Sequence, residues 1–285
     1  MTILNSYWKG FYSCKDVYSY SLIDHHKGGF FACTFSALNS IVLAYNSCKI
    51  LPYSVNIDDG ISMSCEESKD LYDMFFCINE SINVHELLSV YSDPGLNRFK
   101  VPIIFASRPY REQNFEAIRP LWEKYFSPSF EIKSLTFSLI EKYKIDVKNT
   151  LGVYYRGTDK AKEEQLPSHK EYIEKTLEAL AKGEYSKVLL QTDDPDFKDL
   201  FLASINNSVM IQELQVSRTG DGVHKELRLS NTGQTENSKY MLSVVCLFSQ
   251  LKSIIINTSH VSHAMCLYRG GVTEVLQYRR GEWIK

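Results

Sequence analysis

The chain has 285 residues, of which 44% are hydrophobic and 23% are charged. These proportions are ordinary for a globular protein, and the length allows one large or two medium domains. The formal net charge of −2 argues against nucleic acid as a partner, because general nucleic-acid-binding proteins are usually basic. No apolar run approaches the ~18 residues of a transmembrane segment, and the amino terminus lacks the pattern of a signal peptide. We therefore expect a cytoplasmic protein.

The first half of the chain is predicted to start with a strand, a turn and a helix. Residues 17–23 alternate between apolar residues and serine, and residues 30–45 carry apolar side chains at helical spacing. The polar turn between them contains Gly28 and Gly29, which either let the backbone approach a ligand or only form a tight turn. This order is half of a Rossmann-like unit. Further strands are predicted at 48–55 and 101–106, and further helices at 115–126 and 130–144.

In the second half, short apolar strands alternate with amphipathic helices, which predicts a parallel α/β architecture. Residues 220–237 are mostly polar and carry glycines, so we expect a loop there. We place a first Rossmann-like domain at residues 1–145 and a second, doubly wound domain at 146–285. The strands of the second domain are predicted at 151–155, 187–191, 209–212, 253–257 and 272–278, and its helices at 172–182, 196–203, 240–249 and 261–268.

The most informative segment is residues 152–160, where an apolar strand ends in Arg156, Asp159 and Lys160. Ligands of open α/β sheets bind outside the carboxyl ends of the strands. The planar fork of arginine grips a phosphate at two points, and lysine adds a point charge. The segment therefore predicts a site for a phosphate-bearing ligand, and the alternative is a surface turn with an ordinary ion pair.

Two further strand ends carry polar residues at the same predicted edge of the sheet. Asp193 and Asp194 follow the strand at 187–191, and Thr258 and Ser259 follow the strand at 253–257. Hydroxyls and amides at a helix start can bind an anion. Each pair can also simply cap the helix after it. The three clusters together favour a nucleotide-type pocket.

We expect no metal and no cofactor. The seven cysteines contain no CxxC pair, which favours reduced thiols over a disulfide frame or a zinc site. Adjacent acids such as Asp193 and Asp194 point in different directions from a strand end. His260 and His263, three residues apart at a helix start, are the remaining metal candidates.

Several short motifs follow one another in the second half of the chain. Residues 154–160 (YYRGTDK) and 167–172 (PSHKEY) are similar to the HxRRTDK and hPxxEY motifs of the α1,6-fucosyltransferase and protein O-fucosyltransferase superfamily. Residues 190–195 (LQTDDP) are similar to LATDDP, and residues 235–238 are TENS as in the family. Residues 248–250 (FSQ) are similar to LSQ. The resemblance covers about residues 120–270.

The resemblance implies a GT-B-like fold and an inverting, metal-independent transferase whose donor is a nucleoside diphosphate sugar. Arg156 matches the arginine that binds the donor phosphate, and Glu164 or Glu163 matches the proposed general base. A carboxylate of the first domain, such as Asp24 or Asp73, is the alternative base. The other implied contacts are Lys160, Asp159 and Tyr172 near the pyrophosphate and sugar, Asp193 and Asp194 at the nucleoside, and Thr258 or Ser259 at a phosphate.

Three departures from the family bear on the donor. Tyr154 replaces the family's histidine, residues 243–245 contain no acid where the family reads guanine, and Gly157 replaces its second arginine. Since a site that reads one base by hydrogen bonds rejects others, these changes make a UDP-sugar such as UDP-xylose an alternative to GDP-fucose. Tyr154 could instead stack on the base.

We interpret the chain as a glycosyltransferase that acts on a hydroxyl group of a glycan or glycoprotein acceptor. One alternative is a nucleotide- or sugar-binding module without catalysis. A phosphoryl-handling enzyme is the other.

Overall fold

The computed structural model describes residues 2–5, 20–24, 29–57, 71–89, 108–182, 185–211 and 234–285. The strand predicted at residues 101–106 and the predicted loop contact Gly28 lie outside these ranges. The chain divides into two compact units, residues 1–105 with 113–132, and residues 106–112 with 133–285. Residues 133–145, assigned above to the first domain, group with the second unit.

The described part of the first unit contains a parallel sheet. Its strands are β1 (Thr2–Asn5), β2 (Tyr20–Asp24) and β3 (Pro52–Asn56), in the order β1-β2-β3. Helix α1 (Phe30–Cys48) connects β2 to β3 and buries one face that includes Leu38 and Ile41. A strand, a helix and a parallel strand in this order form the Rossmann-like half predicted from the sequence.

The predicted strand at residues 48–55 is wrong in its first part. Helix α1 continues to Cys48 and ends at Lys49, whose φ of 56° is left-handed, a common way for a helix to stop. Strand β3 then begins at Pro52, and proline is tolerated at the first residue of a strand. Cys48 is disulfide-bonded, so the expectation of seven reduced thiols is also wrong.

Short helices and an antiparallel ribbon complete the described part of the first unit. The helices are α2 (Leu71–Phe75), α3 (Val84–Ser89) and α4 (Phe115–Tyr125). Strands β4 (Phe76–Cys77) and β5 (Ser127–Pro128) pair antiparallel. Helix α4 is capped by Asn114, whose side chain accepts a hydrogen bond from the amide of Ala117 at 3.0 Å. Its buried face includes Trp122, which packs on Phe35 and Phe126.

The second unit is built on a six-stranded sheet in the order β11-β10-β9-β6-β7-β8. All neighbouring strands are parallel except β10 and β11. The strands are β6 (Thr150–Tyr155), β7 (Lys187–Thr192), β8 (Ser208–Met210), β9 (Ser253–Asn257), β10 (Val275–Arg279) and β11 (Glu282–Ile284). The strand order reverses between β6 and β9, which makes this pair the switch point where ligands of such sheets bind.

In the described residues of this part of the chain, five helices accompany the sheet. They are α5 (Phe130–Tyr143), which spans the boundary of the two units, α6 (His169–Leu180), α7 (Pro195–Ser204), α8 (Gln234–Gln250) and α9 (His260–Arg269). Because Gln234–Gln250 is helical, the end of the loop predicted at residues 220–237 is wrong. None of the helices in the described ranges is long and apolar enough to cross a membrane.

The side chains of β6 alternate between two buried faces. Leu151, Val153 and Tyr155 pack into a cluster with Phe197 and Tyr172 of the helices on one side. On the other side Gly152 lies against α8, where a Cβ atom would stand 2.7 Å from Leu251 and 2.9 Å from Phe248. Burial on both faces explains why β6 is apolar until the chain leaves the sheet at Arg156.

Candidate functional site

The backbone of Arg156 is fixed at the switch point by a buried asparagine. The amide N–H of Arg156 donates to Oδ1 of Asn257, and Nδ2 of Asn257 donates to the carbonyl oxygen of Arg156, both at 2.9 Å. Asn257 is the last residue of β9 and is fully buried. The side chain thus continues the β6–β9 pairing for one residue beyond the strand.

The guanidinium of Arg156 is held by Asp159. Nε donates to Oδ1 at 3.1 Å and Nη2 donates to Oδ2 at 2.8 Å. The arginine side chain is 25% exposed, and Nη1 takes no part in this pair. Burial disfavours the charged form, but Tyr154 and Asp159 outweigh it and raise the pKa of Arg156 above its usual value. The site therefore presents a permanent, oriented cation.

Asp193 holds the loop that follows Arg156. Its Oδ1 accepts from the amide of Gly157 and its Oδ2 from the hydroxyl of Thr158, both at 2.7 Å. Burial raises the pKa of Asp193, while Thr158, Arg156 and the Gly157 amide oppose that rise. Both carboxylate oxygens of Asp193 thus accept hydrogen bonds from the protein itself. The contact expected between Asp193 and a nucleoside stays a prediction.

Asp194 caps helix α7. Its Oδ1 accepts from the amide of Phe197 at 3.0 Å, and its Oδ2 lies 3.2 Å from Nε2 of His169. A Cβ atom on Gly157 would stand 2.5 Å from that same Oδ2. The position of the family's second arginine is therefore filled by the Asp194 carboxylate, which is a physical reason for glycine at 157.

Lys160, on the short 3-10 turn Asp159–Lys162, forms a charged cluster with the two glutamates that directly follow the turn. The ammonium of Lys160 lies 2.6 Å from Oε2 of Glu163 and 3.8 Å from Oε1 of Glu164. Glu163 is 59% exposed but Glu164 only 13%. Burial raises the pKa of Glu164, and Lys160 and Arg279 oppose the rise. Because it is mostly buried and its pKa is raised, Glu164 is better suited than Glu163 to accept a proton.

Two of the predicted tyrosines are buried together. The hydroxyl of Tyr172 donates to the carbonyl oxygen of Tyr154 at 2.8 Å, and burial raises the pKa of both side chains. The Tyr154 hydroxyl shares a hydrogen bond with the side chain of Ser259. Tyr172 therefore supports the strand end from one face, while Tyr154 links β6 to the start of α9.

Thr258 and Ser259 are tied into internal hydrogen bonds. The Thr258 hydroxyl donates to the carbonyl oxygen of Tyr278 at 3.0 Å and accepts from Nε2 of Gln277 at 2.9 Å. The Ser259 hydroxyl accepts from the amide of Ser262 at 3.1 Å and so caps α9. Both residues lie at the predicted edge, and their contact with a phosphate stays a prediction.

Tyr110 is a member of this region that sequence reasoning missed. Its hydroxyl donates to the carbonyl oxygen of Ser259 at 2.8 Å, and its ring stacks on His263 at 4.8 Å. Its amide donates to Oε1 of Gln277 at 2.9 Å. Tyr110 comes 149 residues before Ser259 in the chain, and no motif or spacing in its own segment indicates the contact.

The candidates from the first unit are separate from this cluster in sequence. Gly29 is exposed, caps α1 through its backbone and has open space around its Cα. Asp24 ends β2, and Asp73 is exposed on α2. Within the described residues there is no group of three His, Cys, Asp or Glu side chains that could hold a metal ion.

The chain has two α/β units, the second with a doubly wound sheet and polar groups at its switch point, and this fold is similar to the GT-B fold of solved fucosyltransferases. Among solved structures, fucosyltransferase NodZ from Bradyrhizobium is similar, with a TM-score of 0.57 and 13% identity over 93% of this chain and 97% of that chain. NodZ alpha-1,6-fucosyltransferase soaked with GDP-fucose gives 0.54 at 13% identity, and its co-crystal with GDP gives 0.53 at 16%, both over the same shares of the two chains. No family model and no curated protein sequence matches the chain.

Proposed function

We propose that the protein is a glycosyltransferase that moves a sugar from a nucleoside diphosphate sugar to a hydroxyl group of a glycan or glycoprotein. The single observation that carries the proposal is the fixed guanidinium of Arg156 at the switch point of a doubly wound sheet. The likeness in fold to NodZ, which was soaked with GDP-fucose and co-crystallised with GDP, supports the same class of donor.

In this proposal Arg156 holds the donor diphosphate. Asp159 occupies one side of the guanidinium fork, which leaves Nη1 to meet a phosphate oxygen. Arginine suits this role because its planar donors keep their direction and their charge when partly buried. Lys160 supplies a second cation close by in the chain. Two cations can neutralise a leaving diphosphate without a divalent metal, so we propose metal-independent transfer.

The proposed general base is Glu164. In a single displacement the acceptor oxygen attacks the anomeric carbon, the bond to the diphosphate breaks with its electron pair, and the acceptor proton passes to a carboxylate. This reaction inverts the anomeric configuration. The partly buried Glu164, with its raised pKa, suits proton transfer better than the exposed Glu163. Asp24 and Asp73 of the first unit are the alternative bases.

We propose GDP-fucose as the donor because the motifs occur in the same order as in the fucosyltransferases that they resemble. UDP-sugars are the alternative. Residues 243–245 are Ser, Val and Val, and Ser243 and Tyr154 are both buried. The base would therefore meet hydroxyl groups and apolar surface rather than an acid. A non-catalytic nucleotide-binding module is a second candidate, because Asp193, Thr258 and Ser259 are all engaged in internal hydrogen bonds.

The test is release of nucleoside diphosphate from GDP-fucose and from UDP-xylose, with and without a mixture of glycan acceptors and in the presence of EDTA. We expect acceptor-dependent release from one donor, unchanged by EDTA. A thermal-shift screen of GDP, UDP and ADP separates the alternatives, since only ligands of the native state raise the melting temperature. Stabilisation without any release would favour the binding module, and release of inorganic phosphate alone would favour a phosphoryl-handling enzyme.

A further inference from the structure

Two buried glutamines lie in the same row of the second sheet. In the strand pairing, Gln191 of β7 is opposite Tyr154 of β6. Tyr154 is opposite Ile256 of β9, which is in turn opposite Gln277 of β10. Gln191 is 1% exposed and Gln277 is 2% exposed. The two side chains therefore share a face and a depth in the fold, which allows a direct comparison of their environments.

The two amides differ in how they are satisfied. Gln277 accepts from the amide of Tyr110 and donates to the Thr258 hydroxyl, both at 2.9 Å. The Oε1 atom of Gln191, in contrast, has no hydrogen-bond partner in the part of the chain that the structure describes. A buried acceptor without a partner is destabilising and uncommon. Its presence at a strand end points to a partner that is not part of the protein.

Gln191 lies at the ligand-binding edge of the sheet. It is the last residue but one of β7 (Lys187–Thr192), beside the point where β6 leads into Arg156. Leu190 belongs to the core on the α6 and α7 side, so Gln191 faces the opposite side, where Gly152 contacts the residues at the end of α8.

The direction of α8 places its start toward the carboxyl edge of the sheet. The helix ends at Gln250, and β9 begins at Ser253 at the amino edge of the sheet. The first turns of α8 must therefore lie toward the carboxyl edge. Gln191 thus lies close to the carboxyl edge of the sheet, on the same face as Gly152, and is opposite Tyr154, two residues before Arg156.

We propose that Gln191 contacts the base of the donor nucleotide, with its Oε1 accepting a hydrogen bond from an N–H group of the base. This inference rests on the proposed function and adds a specificity-determining residue to it. The ligand chemistry is a nucleobase edge that presents an N–H beside an acceptor, which a planar amide can bind at two points. Guanine, uracil, adenine and cytosine all offer such an edge, and the experiment distinguishes them.

The test compares Gln191→Met with the full-length wild type by calorimetric titration with GDP, UDP, ADP and CDP. Methionine keeps the length of the side chain and removes its polar atoms. We expect the variant to bind the preferred nucleotide about tenfold more weakly than the wild type does. Its affinities for the four nucleotides should also differ less from one another than those of the wild type. Arg156→Lys is the matched control, because losing a phosphate contact should weaken binding of all four nucleotides to a similar extent.

Melting temperature supplies a readout that does not depend on binding. Gln191→Met should melt at or above the wild-type temperature, since it removes an unsatisfied buried acceptor. Gln277→Met should melt lower, because it removes the partners of Tyr110 and Thr258. A Gln191→Met protein that melts as low as Gln277→Met would show a structural role and overturn the inference.

The binding outcomes separate this inference from the proposed function. If the wild type binds a nucleotide and Gln191→Met keeps the same affinities and the same order of preference, Gln191 does not read the base and only this inference fails. If the folded wild type binds none of the four nucleotides, the proposed function fails and this inference fails with it.

Discussion

Asn257 and Arg156 exchange two hydrogen bonds of 2.9 Å across the switch point of the second sheet. One side chain satisfies both the amide and the carbonyl group of the residue whose guanidinium we propose holds the diphosphate. The asparagine therefore links the position of that cation to the end of β9, and its role can be tested apart from any activity.

Asn257→Asp should destabilise the protein. Aspartate can still accept from the Arg156 amide, but it cannot donate to the Arg156 carbonyl, and it places a carboxylate oxygen against that group. We expect a loss of about 1–3 kcal/mol in the free energy of unfolding, measured by urea denaturation. Asn206→Asp, which makes the same change at an exposed turn position, should be close to wild type. Equal stability of the two variants would contradict the proposed link.

Gly157→Ala should also destabilise the protein, through steric overlap. Its Cβ atom would stand 2.5 Å from Oδ2 of Asp194 and from Cε1 of Tyr155. Overpacking of this kind costs about 1–3 kcal/mol, and the loss can be followed by thermal or urea unfolding. Gly271→Ala is the control, because nothing lies within 4 Å of its Cβ position. A Gly157→Ala protein as stable as this control would show that the loop moves aside freely.

Most elements of the second unit were predictable because they have a strong local signal, but strand β11 (Glu282–Ile284) was not predicted. The strand predicted at residues 253–257 has the observed bounds, and the strand predicted at 151–155 differs from β6 by one residue. Both are short, largely apolar runs with polar residues at or directly after their carboxyl ends. The cluster of Arg156, Asp159 and Asp193 at one edge followed from the rule that parallel strands end together.

Other features were not predictable because they depend on contacts between residues far apart in the chain. The polar stretch before Tyr240 gave no helical periodicity, yet α8 starts at Gln234. Nothing in residues 108–112 indicates that Tyr110 packs on His263. The sequence also did not show that Asp193 and Asp194 serve loop and helix contacts, since an acid after a strand can equally face a ligand.

Arg156→Lys should weaken nucleotide binding. Lysine keeps the charge but cannot bind Asp159 at two points and still present a donor to a phosphate. We expect affinity for the preferred nucleoside diphosphate to fall about tenfold to a hundredfold, measured by calorimetric titration. Arg119→Lys, at an exposed ion pair with Glu123, makes the same change away from the site and should bind as the wild type does. Wild-type affinity in Arg156→Lys would remove Arg156 from the phosphate site.

Glu164→Gln should reduce turnover at saturating donor while donor binding remains. A general base typically contributes about 10²–10⁴-fold, so we expect a fall of that size. Because burial raises the pKa of Glu164, the acid limb of the wild-type pH profile should lie above 4.5, the ordinary value for glutamate. Glu163→Gln, at the exposed neighbour, should change turnover little. A fall of less than about tenfold in Glu164→Gln would move the base to the first unit.

The same raised pKa predicts a pH dependence of stability. The folded state holds the Glu164 proton more tightly than the unfolded state, so this group's stabilising contribution is present below pH 4.5 and is lost as the pH rises through the folded pKa. Glu164→Gln removes the effect. The free energy of unfolding of the variant minus that of the wild type should therefore be larger at neutral pH than at acidic pH, as measured by urea denaturation from acidic to neutral pH. A constant difference would contradict the raised pKa.

The most direct test of the central proposal is calorimetric titration of the wild-type protein with GDP and UDP in buffer containing EDTA. We expect saturable binding of at least one of them without a divalent metal, through the fixed guanidinium of Arg156. Binding of neither nucleotide by a folded protein would contradict the assignment of a nucleoside diphosphate sugar as the donor.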